Sequence, residues 1–125
     1  MNRKRIRWTM RRETDVALWV DVAKADAIWR AHECYVGPQG AGGNRFRYER
    51  FGRWLLEKPR LVVMPSVGLC EGLLLFEDGR HRFAWLRDHG LEALPFAVHP
   101  DDAEVIEGLL GSPARLSWLS LSETA

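Results

Sequence analysis

Apolar residues alternate with a period of two from Val16 to Val22 (Val16, Leu18, Val20, Val22), which predicts a strand with one buried face. The period then changes. Ala25, Ile28 and Trp29 share one face of a helix predicted over 23–32, with His32 at its end. A second helix is predicted over 45–57, where Tyr48, Phe51, Trp54 and Leu55 recur at helical spacing and the Arg residues largely take other faces. Pro59 prevents its continuation. Leu61 to Met64 is β-prone and closed by Pro65, as in an edge strand or extended segment. Val67–Cys70 and Leu73–Phe76 flank Glu71-Gly72, the pattern of a tight hairpin. A helix over 80–89 turns Phe83 and Leu86 inward and stops at Gly90, which suits a left-handed cap. Leu94–Val98 reads as a strand. Asp101 opens the last helix, with Glu104 at capping-box spacing and Val105, Ile106, Leu109 and Leu110 as its apolar stripe. Beyond Ser112 the pattern weakens, and Leu116, Trp118, Leu119 and Leu121 suggest a short strand or turn.

Short strands alternating with short helices predict an α+β domain, a small mixed sheet flanked by short helices. A chain of 125 residues fits one domain, long enough to bury roughly two thirds of its unfolded surface. The expected division is a basic, flexible arm over 1–14, a folded domain over 15–111 and a C-terminal tail over 112–125. Six Trp residues are spread along the chain, which makes them core and rim anchors rather than one stacking platform.

A net charge of +1 argues against a dedicated nucleic-acid binder. The charge is unevenly placed, however. Arg3, Lys4, Arg5, Arg7, Arg11 and Arg12 open the chain, and Arg45, Arg47, Arg50 and Arg53 form a second group. The first group reads as a solvated terminus before it reads as a nucleic-acid arm, although nucleic acid stays a possible partner by that route. No apolar run approaches the roughly 20 residues that cross a bilayer, so no membrane partner is expected. No apolar segment follows the basic start, unlike a secretory signal. Cys34 and Cys70 make no disulfide framework, and both are expected as free thiols in the cytoplasm, with Cys70 as a small core residue.

The most informative stretch runs from Leu73 to Gly90. An apolar strand breaks at Asp78-Gly79, and Arg80, His81 and Arg82 follow at the start of a helix. A rival reading, Asp78-Gly79 as a hairpin turn with 81–86 as the returning strand, is disfavoured because residues 80–89 do not alternate. The first amides of a helix lack internal partners, its dipole favours anions there, and Arg adds a planar fork that matches phosphate. Gly79, Arg80, His81 and Arg82 are therefore candidate phosphate-binding residues. The plainer alternative has both Arg residues solvated and His81 satisfied by a backbone carbonyl. The Gly-rich loop 37–43 has no Walker ending; it is either a plain loop or a second wall from which Asn44 and Arg45 reach the ligand. Glu71, Glu77 and Asp78 lie close in sequence and offer a Mg²⁺ ligand or a general base; Asp78 is read first as the helix cap. The catalytic candidates are Asp78, Glu77 and His81. His32, His81, His89 and His99 have no metal-ligand spacing, so no metal site is assigned.

Phe76-Glu77-Asp78-Gly79-Arg80-His81-Arg82-Phe83-Ala84, followed by Gly90 and Pro95, resembles the signature of the ParB/sulfiredoxin-like superfamily. Met64-Pro65-Ser66-Val67 resembles that family's strand entry, and the likeness covers roughly residues 16–98. It implies a fold in which the Gly79 turn holds nucleotide phosphates. Gly79, His81 and Arg82 match the sulfiredoxin turn, but Arg80 stands where the catalytic Cys would be, so that chemistry is not carried over. Arg82 matches the turn of the CTP-binding ParB clamp, where Arg80 again replaces a Glu, and no helix-turn-helix follows residue 98. Other relatives phosphorylate free serine with ADP or are described as nucleases, without a residue-by-residue match here. The expected function is binding of a nucleotide or other phosphate ligand, with ATP, ADP or CTP and Mg²⁺ as possible cofactors. The alternatives are a Mg²⁺-dependent phosphotransferase or phosphohydrolase, and a DNA- or protein-interaction module. Oligomeric state is left open.

Overall fold

The computed structural model describes residues 2–57 and 61–121. The chain begins with two short strands, β1 (Asn2–Ile6) and β2 (Trp8–Thr9), then β3 (Val16–Asp21), helix α1 (Val22–Trp29), a 3-10 turn (Pro38–Gly40) and helix α2 (Arg45–Leu56). There follow β4 (Val62–Val63), β5 (Ser66–Cys70), β6 (Leu73–Asp78), α3 (Arg80–Asp88), β7 (Ala93–Val98), α4 (Pro100–Leu110) and β8 (Ser117–Leu121). The architecture is α+β, with a four-stranded mixed sheet in the order β3-β7-β5-β6. β7 runs antiparallel to β3 and parallel to β5, and β5 is antiparallel to β6. Every residue of β7 is buried, as expected of a central strand covered on both faces.

The core is aromatic. Trp29 of α1, Phe76 of β6, Phe83 of α3 and Phe96 of β7 meet with ring centroids 4.5–5.6 Å apart in tilted and edge-to-face contacts. Beside them lies a buried ion network. The Arg87 guanidinium donates to Asp26 and Asp88, each at 2.9 Å, and to the Val36 carbonyl at 2.7 Å. Burial works against the charge on Asp26, but hydrogen bonds from Arg30 and Arg87 outweigh it and hold the carboxyl below its ordinary value. This network fixes α1, α3 and the start of the Gly-rich loop to one another.

The basic N-terminal segment is not a flexible arm. β1 pairs antiparallel with β8 from Asn2↔Leu121 to Ile6↔Ser117, and β2 pairs in parallel with β4. Alternation explains the order: Ile6 and Leu119 turn inward and are buried, while Arg3 and Arg5 face out. The tail expected over 112–125 supplies the partner strand as far as the described residues extend.

Three further expectations change. Asp101 does not open α4; His99 is its N-cap, accepting from the Asp101 amide at 3.1 Å, and Pro100 takes the first helical position that suits it. Of the predicted stripe only Ile106 and Leu110 are buried; Val105 and Leu109 are exposed. Cys70 is exposed at the end of β5 rather than in the core. The Glu71-Gly72 hairpin forms as expected, with positive φ at both residues (51° and 79°), the pair of values a primed two-residue turn requires.

Helices α2 and α3 pack where α2 has no side chain. A Cβ at Gly52 would overlap the Trp85 indole of α3. Gly52→Ala should therefore destabilise the domain by about 1–3 kcal/mol through overpacking. Urea unfolding would read this as a lower midpoint at an unchanged slope.

Candidate functional site

The bend between β6 and α3 is built by a bulge and a glycine. Ser66 pairs with Asp78 and Val67 with Phe76, so Glu77 is the extra residue of a β-bulge, a device that re-aims side chains beside sites. Gly79 follows at φ 88°, ψ 17° and acts as the N-cap of α3 without any side-chain cap. Two constraints demand glycine. The left-handed conformation disfavours a Cβ, and a Cβ would lie 2.7 Å from Arg82 Nη2 and 3.0 Å from the Pro65 Cα. The first amides of α3 therefore stay open at the positive end of the helix dipole.

The three basic residues after Gly79 diverge. Arg80 donates to the Cys34 carbonyl at 2.9 Å. Arg82 folds back over the turn, with Nε on the Val63 carbonyl at 3.1 Å and Nη2 on Asp78 at 3.2 Å. His81 is buried, and its Nε2 accepts the Asn44 backbone N–H at 2.8 Å. That bond fixes the proton on Nδ1 and the ring as neutral. Burial, reinforced by Arg80 and Arg47, pushes the imidazole below its ordinary 6.5. His81 thus engages Nε2 with a backbone N–H rather than with a carbonyl.

The His81–Asn44 bond brings the N-terminus of α2 against that of α3. Asn44 is itself the cap of α2, its Oδ1 accepting from the Arg47 amide at 3.0 Å. Gly43 permits the approach, since a Cβ there would lie 2.9 Å from His81 Nε2. The Gly-rich loop is pinned behind: the Gln39 amide and the Tyr48 hydroxyl both donate to Asp88, at 3.0 and 2.6 Å.

A cleft of about 830 Å³ opens beside these helix starts. Gly79, Arg80, His81 and Arg82 line it, together with Arg47, Arg50, Phe51 and Trp54 from one side of α2 and Glu77 and Asp78 from β6. Asn44 and Arg45, expected to reach the ligand, are not among its lining residues; Asn44 is committed to capping and to His81. The loop 37–43 does not line the cleft either. Arg47 and Arg50 take that place, and helical spacing from the apolar stripe of α2 could have indicated them: both flank Phe51 and Trp54 on the side facing α3.

The acids are occupied. Asp78 is not the cap of α3; its Oδ2 pairs with Arg82 and, at 3.3 Å, with Arg11. Glu77 pairs with Arg12 at 3.3 Å. Four Arg residues therefore face two carboxylates that are already matched from outside the cleft, and the lining is electropositive. Among the described residues no group of three or more His, Cys, Asp or Glu is placed to hold a metal ion. His32, His89 and His99 are each engaged locally, on the Cys34 amide, the Trp85 carbonyl and the Asp101 amide.

No family model and no curated protein matches the chain. Among solved structures it is similar to a crystal structure of Oncogenic Suppression Activity Protein, a plasmid fertility inhibition factor, determined as a gold(I) cyanide derivative. The TM-score is 0.63 at 16% identity, covering 90% of this chain and 64% of that one. A likeness at this identity is one of fold, and the chain spans less than two thirds of that protein's length. No described helix is long and apolar enough to cross a membrane.

The neutral His81 makes stability depend on pH with a definite sign. The unfolded chain protonates this ring at a higher pH than the folded one does, so acid favours unfolding. The contribution is complete above about 6.5 and declines as the pH falls below it. His81→Gln can still accept from Asn44 but does not titrate, so its urea midpoint should vary less between pH 7 and pH 5 than that of the wild type.

Proposed function

We propose that this domain is of the ParB/sulfiredoxin-like kind and binds a nucleotide in the cleft between α2 and α3, with phosphates at the α3 start. The observation that carries the reading is the gathering of Arg47, Arg50, Arg80 and Arg82 around the uncapped N-terminus of α3. Cations at a helix N-terminus are mutually unfavourable there, each by a few tenths of a kcal/mol or more, and an oxyanion relieves both terms. Arg82 shapes the turn; Arg47, Arg50 and Arg80 supply the charge; the amides of α3 supply directed hydrogen bonds. Gly79 lets the backbone approach.

The aromatic end of the cleft supports a nucleotide over free phosphate. Trp54 is 43% exposed and lines the cleft beside Phe51. From Arg47 to Trp54 the helix advances about 10 Å, a span suited to a nucleoside polyphosphate with its base on the indole. ATP, CTP and ADP are the ligands to compare, and the cytoplasm, where such ligands are abundant, is the compartment that fits two free, exposed thiols.

Calorimetric titration of ATP, CTP, ADP and inorganic phosphate tests this. The double variant Arg47→Ala/Arg80→Ala should weaken every phosphate ligand by tenfold or more, about 1.5–3 kcal/mol for each charge-assisted bond lost. Trp54→Ala should weaken nucleotides and leave inorganic phosphate unchanged. Absence of binding by the wild type removes the reading.

A second reading, Mg²⁺-dependent phosphate transfer or hydrolysis, draws on the two carboxylates in the cleft wall. Asp78 is held by two guanidinium groups, which leaves Glu77 as the better base or metal ligand. Phosphate release from ATP with Mg²⁺ should then be measurable and should fall at least tenfold in Glu77→Gln while nucleotide binding persists. Release equal in both proteins excludes this role for Glu77.

A further inference from the structure

The pairing register of β1 and β8 sorts the basic N-terminal residues in a way their sequence does not announce. Cross-strand partners share a face. Lys4↔Leu119 and Ile6↔Ser117 lie on the inner face, where Ile6, Ser117 and Leu119 are buried. Arg3↔Ser120 and Arg5↔Trp118 lie on the outer face, and all four are exposed. Arg7, the residue just after β1, is exposed as well. Among the described residues none of Arg3, Arg5 and Arg7 is paired with a carboxylate, in contrast to Arg11 and Arg12. Trp118 is 41% exposed on this face, with the Arg3 guanidinium 4.4 Å from its ring centroid.

The face is firmly held. The Lys4 ammonium donates to the Leu55 carbonyl at 2.7 Å. The Trp8 indole donates to Ser117 Oγ at 3.1 Å, and the Ser117 hydroxyl donates in turn to the Ala93 carbonyl at 2.8 Å. A short two-stranded ribbon is thereby fixed to α2 and β7, so its backbone is already ordered before it meets a partner.

We propose that the outer face of the β1/β8 ribbon binds single-stranded nucleic acid, with phosphates on Arg3, Arg5 and Arg7 and an unpaired base on Trp118. Charge complementarity selects a polyanion. Alternate residues of a strand are about 6.6 Å apart, twice the roughly 3.4 Å axial rise between phosphates of one nucleic-acid strand, so an extended chain can meet the three guanidinium groups in sequence. The indole selects an unpaired strand over a duplex, because base faces are hidden in a double helix and open in a single one. An aromatic on a sheet face flanked by cations is the arrangement that serves both needs together. This surface is separate from the cleft, and its occupancy does not depend on any nucleotide there.

The experiment is fluorescence anisotropy of a labelled oligo-dT of about 20 nucleotides with the full chain, over a range of salt. Three phosphate contacts predict a slope of log K against log salt of about −2. Trp118→Ala should weaken binding at least about fivefold, and Trp118→Phe should restore part of it. Arg3→Gln/Arg5→Gln/Arg7→Gln should abolish the salt slope. Arg45→Gln/Arg53→Gln, which removes two charges on α2, should bind like the wild type. Four results overturn the proposal: no binding by the wild type, duplex bound as tightly as the single strand, equal loss in the α2 control, or full affinity retained by the triple variant. Preference for anionic phospholipid vesicles over the oligonucleotide also overturns it.

Discussion

The hydrogen bond from the Asn44 amide to His81 is the constraint on which the cleft depends. It joins two helix starts that electrostatics would keep apart: both carry the positive end of a dipole, and both are crowded by Arg. A charged imidazole would add a further cation and remove the acceptor, so the ring must be buried and neutral, and its surroundings make it so. Gly43 removes the Cβ that would block the approach, and Gly52 lets Trp85 lie against α2 further along. Asp88 fastens the intervening loop by accepting from Gln39 and Tyr48. None of these contacts forms the cleft wall by itself, yet each sets where Arg47 and Arg50 stand relative to Gly79. The result is a gathering of positive charge beside an open helix start, set by backbone geometry.

Much of the fold was legible because its elements carry unambiguous periods. The alternation at Val16–Val22, the stripe Tyr48–Leu55 and the Gly90 cap each emerge within a residue or two. The departures have separate causes. The N-terminal segment looked solvated because Arg3, Arg5 and Arg7 are, but alternation with Lys4 and Ile6 is the period of a strand with one wet face, and its partner lies more than a hundred residues away in sequence. Local composition cannot report a pairing of that range. The α4 stripe failed differently: an eleven-residue helix packed on β3 and β5 along a narrow line needs only Ile106 and Leu110, so half the apolar positions remain outside.

At the site the turn was legible and its wiring was not. Gly79 was identified for its backbone, and its φ agrees. Arg82, however, serves the turn by reaching back to Val63 and Asp78, a contact that needs the β5–β6 register to be known. Asp78 looked like a cap because it precedes a helix; the glycine between them takes that position instead, which turns the carboxylate toward Arg11 and Arg82. Arg45 adjoins the Gly-rich loop in sequence, yet Arg47 and Arg50 are the residues of α2 that line the cleft. The guide that works is the helix face, since Phe51 and Trp54 already mark the side of α2 that turns to α3.

A net charge near zero conceals this segregation. The carboxylates of the cleft wall are matched by Arg11 and Arg12 from the chain between β2 and β3, while two further groups of cations stand apart from each other, Arg47, Arg50, Arg80 and Arg82 at the cleft and Arg3 and Arg5 on the β1/β8 ribbon. Screening acts over about 8–10 Å at physiological ionic strength, so each surface is governed by its own neighbours rather than by the total. Whole-chain neutrality thus excludes little about anionic ligands in this protein. What decides is the local excess, and at the cleft four Arg residues stand beside a helix start that has no side-chain cap.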